Sequence, residues 1–157
     1  DVIERLFSEI GKHSSEVSYC GNTVVLGNMG EFKKKYIPRS ISSKKILFSK
    51  SGLSQPAFIY STDKLKLVGG FDYSYKIAAD TKSILQIYLQ SFIIILDYNI
   101  ANFYMGGLST RERRKANAEL LKLRLEFKKQ TKLNLIYSYL WFIYRDFRSI
   151  VLKLIDT

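Results

Sequence analysis

Histidine and cysteine, which often act in catalysis or metal binding, occur once each in this chain, as His13 and Cys20. A zinc site needs three or four nitrogen and sulfur ligands, and a nucleophile–histidine–acid triad needs a histidine beside a turn that exposes the nucleophile. His13 stands among serines, far from any glycine turn of that kind. The sequence also lacks the G-x-x-x-x-G-K-[ST] loop and the G-x-G-x-x-G fingerprint. These observations exclude the commonest zinc, triad and nucleotide-loop proteins, and the single cysteine favours a reducing compartment.

A third candidate is a carboxylate, Asp80, which directly precedes a run of helical periodicity over 81–90. Its side chain is therefore predicted at a helix N-terminus, where aspartate is also a favoured capping residue. Asp80 belongs to an ordered series of short motifs: Ser54-Gln55-Pro56-Ala57-Phe58-Ile59, Val68-Gly69-Gly70-Phe71-Asp72, Tyr75-Lys76-Ile77-Ala78-Ala79-Asp80 and Gly106-Gly107-Leu108-Ser109.

This series, in this order and spacing, resembles family 2 glycosyltransferases of the GT-A fold over about residues 17–128. The resemblance implies an α/β fold, a partial GT-A domain with a mixed sheet, followed by C-terminal helices. We expect residues 1–108 to form the acceptor-side, C-terminal half of such a domain. Residues 109–157 should form a basic helix and an amphipathic aromatic tail.

The resemblance also implies an activity and a set of site residues. Such enzymes transfer a sugar from a nucleotide diphosphate to an acceptor hydroxyl with inversion, in the synthesis of polysaccharides or glycoconjugates. Asp80 matches the acid that acts as general base, and a carboxylate at a helix N-terminus is favoured in its charged form. Gln55 and Asp72 are candidates for the substrate pocket. Gly106 and Gly107 would let the backbone approach a bound sugar or diphosphate.

Parts of the implied enzyme have no counterpart in these residues. A strand–helix–strand nucleotide-binding half should precede this region, and no Asp-x-Asp occurs in the sequence. A divalent cation, Mg²⁺ or Mn²⁺, is expected for the full-length enzyme, with its ligands outside this chain. The chain is thus predicted to be inactive alone, and the expected partners are a nucleotide-sugar donor and a saccharide or lipid-linked acceptor.

The elements that would position these residues can be predicted from periodicity and turn signals. The expected elements up to residue 60 are a helix over 2–10, strands over 16–20 and 22–26, a turn at 27–30 with a return strand over 31–37, a short helix over 42–50 and a strand over 57–60. The next is a helix that Ser61, Thr62 or Asp63 can cap and that ends at Gly69-Gly70. After it come a helix over 81–90, strands over 92–96 and 100–104 with a turn at 97–99, and a long helix that begins at a capping box, Ser109-Thr110-Arg111-Glu112.

The charge of the chain points to an anionic partner. Lys and Arg number 25 against 14 Asp and Glu, a net charge of +11. Residues 111–132 hold nine basic and three acidic residues, and the aromatic stretch that follows alternates with Arg145, Arg148 and Lys153. This pattern suits a solvated basic helix, with a tail that packs back on the core or on a second subunit, or a membrane surface bound through 133–155. We expect a cytoplasmic protein, peripheral on the inner face of the membrane.

Two other classes of function stay open at this point. A basic chain rich in Tyr and Phe can bind nucleic acid by phosphate contacts and base stacking, but no known nucleic-acid motif occurs and no such partner is expected. A non-catalytic interaction module would also fit the composition.

Overall fold

The computed structural model describes residues 1–13, 17–27, 29–49 and 52–155, with side chains through Val151. The helices are α1 (Val2–Ile10), α2 (Ser43–Leu47), α3 (Thr62–Leu67), α4 (Ala79–Gln90), α5 (Leu108–Arg111), α6 (Arg113–Glu126), α7 (Lys128–Thr131) and α8 (Leu135–Ile155). The strands are β1 (Ser18–Leu26), β2 (Phe32–Tyr36), β3 (Phe58–Ile59) and β4 (Ile93–Tyr104), and a 3₁₀ turn, Gln55–Ala57, precedes β3. Asn28, in the predicted turn at 27–30, lies outside the described residues.

The sheet is mixed and is built around β1. Strands β2 and β3 pair antiparallel with successive parts of one edge of β1, and β4 pairs with β1 in parallel. The predicted hairpin is confirmed, with Thr23 opposite Tyr36 and Val25 opposite Lys34. The described residues therefore form a mixed α/β fold, as predicted, with a mixed sheet of four strands.

Two predicted strand breaks are wrong, because each proves to be an irregularity within a continuous strand. Residues 97–99 do not reverse the chain; the register passes from Cys20 opposite Ile95 to Asn22 opposite Asn99, so β4 bulges. The amide Nδ2 of Asn22 donates to the carbonyl of Asp97 at 3.1 Å and ties the bulge to β1. A Cβ on Gly21 would lie 2.1 Å from Cγ1 of Ile100, so only glycine fits inside β1 at this point.

The core lies where α4 and α6 pack beside the sheet. Its buried side chains include Cys20, Leu47, Leu85, Ile87 and Leu123.

Before α4, the predicted start and end of α3 are confirmed, since the hydroxyl of Ser61 accepts from the backbone N–H of Lys64 at 3.2 Å. Gly69 and Gly70 follow α3 with φ of +86° and +74°, the left-handed region that favours glycine.

The predicted capping box at Ser109 is wrong. Helix α5 begins two residues earlier than a cap at Ser109 requires, at Leu108, with Gly107 at its N-cap and no side-chain cap. Glu112 interrupts the helix between α5 and α6, and its carboxylate pairs with Lys115 at 2.5 Å. The single long helix predicted here is therefore divided into α5, α6 and α7, and the last ends at Lys132 with a φ of +49°.

The predicted tail is confirmed as a helix. Helix α8 has 21 residues and packs against α6. Among the described residues, no helix is both long and apolar enough to cross a bilayer.

Candidate active site

The carboxylate of Asp80 is not the cap of its helix. Ala78 occupies the N-cap of α4 and offers no side-chain acceptor, which places Asp80 in the first turn. Its Oδ1 accepts from the backbone N–H of Thr81 at 2.6 Å and from the Thr81 hydroxyl at 3.2 Å. Both of these hydrogen bonds reach Oδ1 rather than Oδ2.

The cap of α4 comes from a different helix. The carboxylate of Glu119, on α6, accepts from the backbone N–H groups of Lys76 at 3.0 Å and of Ile77 and Ala78 at 2.8 Å each. Three donors that would otherwise be unsatisfied at the helix entrance thus share one anion. Glu119 therefore fixes the segment that leads into Asp80.

Asp80 lies on the wall of a cavity of about 560 Å³. The other charged side chains of the lining are all cationic: Lys34, Arg113, Arg145 and Arg148. These cations come from β2, α6 and α8, which converge on the first turn of α4. No described carboxylate forms an ion pair with any of the four. A cavity of this size with one carboxylate and several unpaired cations can hold a phosphorylated ligand against a base.

Burial determines the proton affinity of Asp80, and the prediction that its helix position favours the charged form is wrong. Removal from water raises the pKa of its carboxyl group above the usual 3.8, despite the opposing hydrogen bonds from Thr81. The pKa of the nearby Tyr60 is also raised, first by burial and then by the Asp80 charge. A carboxylate with a raised pKa is a stronger base than an ordinary aspartate.

Two of the predicted site residues lie close to this cavity. Gly107 is the N-cap of α5, and its neighbours Ser109 and Thr110 line the cavity, as does Met105. Gly106 has a φ of +105°, which a residue with a side chain rarely adopts. The two glycines thus shape the turn by which the chain passes from β4 to the cavity wall.

The other two predicted site residues lie elsewhere. Asp72 lines a separate cavity of about 370 Å³, where its Oδ2 accepts from the ammonium group of Lys82 at 2.7 Å. That ion pair and the Ser74 backbone N–H hold the pKa of Asp72 well below its usual range. Gln55 is exposed at the start of the 3₁₀ turn and lines neither cavity. The structure does not bring Gln55 or Asp72 to Asp80.

Sequence reasoning missed Glu119 and the cations as site residues. The basic residues after 108 are predicted on a solvated or lipid-facing helix, and Lys34 is not predicted in the site. Which side of α6 and α8 faces Asp80 depends on tertiary packing, and no local signal in the sequence reports it.

No protein-family model, curated protein or solved structure matches this chain. The described residues contain no group of three or more His, Cys, Asp or Glu side chains that could hold a metal ion.

Proposed function

We propose that this chain is the acceptor-side part of an inverting glycosyltransferase of the GT-A fold. The intact enzyme would transfer a sugar from a nucleoside diphosphate donor to a hydroxyl of a saccharide or lipid-linked acceptor, in the cytoplasm. The observation that carries the proposal is the Asp80 carboxylate in a cavity whose other charged groups are cationic. The mixed sheet and the order of the motifs that resemble this family support it.

In this proposal Asp80 is the general base. Its Oδ2 accepts the proton of the acceptor hydroxyl as that oxygen forms a bond to the anomeric carbon. The bond from the anomeric carbon to the donor phosphate breaks, and the nucleoside diphosphate leaves from the opposite side, which inverts the configuration. Glu119 is a positioning residue, since it holds the backbone before Asp80 without reaching the cavity lining.

The cations of the cavity would compensate phosphate charge on a bound substrate. Arg113 and Arg145 are half-buried, and a guanidinium group in such surroundings binds phosphate more strongly than it does in open water. A divalent cation would assist the departure of the nucleoside diphosphate. The described residues do not fit a site for it, so its ligands would belong to a nucleotide-binding part outside this chain.

Calorimetric titration of this 157-residue chain with pyrophosphate tests the role of the cavity. We expect saturable binding that weakens about tenfold in Arg148→Gln, the loss of roughly one charge-assisted hydrogen bond. Arg111→Gln is the matched control, because Arg111 is also exposed but does not line the cavity.

Equal affinity of Arg148→Gln and Arg111→Gln for pyrophosphate, or no binding of pyrophosphate at all, would contradict the proposal that the cavity binds phosphate groups. If the chain binds single-stranded DNA, if this binding weakens steeply with salt, and if pyrophosphate does not displace the DNA, a nucleic-acid-binding module would instead be favoured.

A further inference from the structure

Helix α8 turns an apolar face to solvent. Six large side chains on this face are between 43% and 72% exposed: Ile136, Tyr139, Leu140, Ile143, Phe147 and Ile150. At 3.6 residues per turn they form one stripe about 100° wide along the helix. We call this stripe the apolar face of α8.

The opposite side of α8 packs on the protein and combines polar residues with the half-buried Trp141 and Phe142. Ser138 is fully buried, Ser149 is 5% exposed, and Arg145 is half-buried at the cavity. Next to the apolar face, the carboxylate of Asp146 accepts from Nε of Arg114 on α6 at 3.3 Å. A surface helix of a globular protein ordinarily has the reverse arrangement, with its apolar stripe inward.

The packing at the first turns of α8 shows that this orientation is held firmly. The ring of Phe48 contacts Tyr137 and Trp141 edge-on, with centroids 5.0 and 5.8 Å apart. Beneath them, the guanidinium group of Arg124 donates to the carbonyl of Leu47 at 3.0 Å and lies against Phe48. Rotating α8 to bury the apolar face would break these contacts and the Arg114–Asp146 ion pair.

The charge around the apolar face favours an anionic lipid surface as its partner. Arg114 of α6 is exposed beside the apolar face, where it binds Asp146, and the whole chain carries a net charge of +11. Tyr137 and Tyr144 flank the stripe, where a tyrosine can keep its ring in an apolar layer and its hydroxyl among polar headgroups. A second copy of the chain would instead bring two strongly basic surfaces together.

We propose that α8 is an interfacial helix, whose apolar face inserts into the headgroup–acyl boundary of a membrane rich in anionic lipids. Arg114, beside the apolar face, then lies near the lipid phosphates. Membrane binding of this kind does not depend on the proposed sugar transfer. Either proposal can therefore be refuted while the other stands.

Sedimentation with lipid vesicles tests the proposal on the 157-residue chain. Vesicles of equal parts phosphatidylglycerol and phosphatidylcholine should bind the chain, and vesicles of phosphatidylcholine alone should bind it at least tenfold more weakly. Leu140→Asp and Ile143→Asp should each lower binding to the anionic vesicles at least tenfold, because a carboxylate replaces an inserted side chain. Both residues are exposed, so circular dichroism should show the same helix content as the wild type.

Leu67→Asp is the matched control, since Leu67 is also a helical leucine and is 75% exposed, on α3. It should bind the vesicles as the wild type does. The proposal is overturned if the wild type stays in the supernatant with anionic vesicles, or if Leu67→Asp loses as much binding as Leu140→Asp. A dimer that Ile143→Asp dissociates, without vesicle binding, would identify the face as a contact between copies of the chain.

Discussion

Removing the Glu119 carboxylate should destabilise the entrance to α4 far more than removing a surface glutamate. The carboxylate accepts three backbone hydrogen bonds, of 2.8 to 3.0 Å, from residues 76–78. A hydrogen bond to a charged group contributes about 1.5–3 kcal/mol. Water can solvate the N–H of the exposed Lys76, whereas Ala78 is only 3% exposed. We therefore expect Glu119→Ala to lower the free energy of unfolding by about 2–4 kcal/mol.

Urea denaturation monitored by circular dichroism measures this decrease in the free energy of unfolding. With an m-value of about 2 kcal/mol/M, the midpoint should fall by roughly 1–2 M at constant m. Glu112→Ala is the matched control, because Glu112 pairs only with the exposed Lys115 at 2.5 Å, and its loss should cost less than about 1 kcal/mol. Equal midpoints for Glu119→Ala and Glu112→Ala would refute the capping role.

The same contacts predict a pH dependence. Burial alone would raise the pKa of Glu119, but the three N–H donors outweigh it and lower the pKa below the usual 4.5. The unfolded state therefore binds the proton more readily, so this stabilisation is complete above about pH 4.5 and is lost as the pH falls through the lower, folded-state pKa. Glu119→Gln should flatten the acid side of the stability profile; an unchanged acid side would contradict this reasoning.

Two further substitutions, with one control, test the packing around the separate cavity that Gly70, Asp72 and Lys82 line. Lys82 is 8% exposed and pairs with Asp72 at 2.7 Å and Glu126 at 2.5 Å, so Lys82→Ala should lower the free energy of unfolding in urea by about 1–3 kcal/mol. Lys66→Ala, which removes only an exposed 3.6 Å pair, should cost less than about 1 kcal/mol, and a larger loss there than at Lys82 would contradict the burial argument. Gly70→Ala meets no atom within 4 Å but keeps a φ of +74°, so its cost should be about 1 kcal/mol, seen as a melting temperature roughly 2–4 °C lower; an unchanged melting temperature would refute it.

Local signals explain which elements the sequence predicts correctly. The periodicity of Val2–Ile10, the cap at Ser61 and the paired glycines after α3 depend on residues close together in the chain, and each of them lies where it was predicted. The confirmed hairpin of β1 and β2 is also local, because a short turn connects its strands.

Tertiary contacts explain the elements that the sequence does not reveal. Asp97–Asn99 have turn composition, yet β1 holds them as a bulge through Asn22. Ser109 and Glu112 have capping-box spacing, but α5 starts at Leu108, so Ser109 falls inside the first turn. Asp80 itself could be singled out from the sequence. Its cationic surroundings could not, since they come from elements far apart in the chain; Lys34 and Arg148 are separated by 114 residues.

The turnover number of an Asp80→Asn variant of the intact transferase tests the central claim most directly. Asparagine preserves the shape of the side chain but cannot accept the acceptor's proton, so kcat should fall by about 10²–10⁴-fold, the usual contribution of a general base. Asp63→Asn, at an exposed aspartate in the first turn of α3, should stay within about twofold of the wild type, because Asp63 contacts only the surface Lys66. An Asp80→Asn enzyme that folds and turns over at the wild-type rate would contradict the assignment of Asp80 as the base.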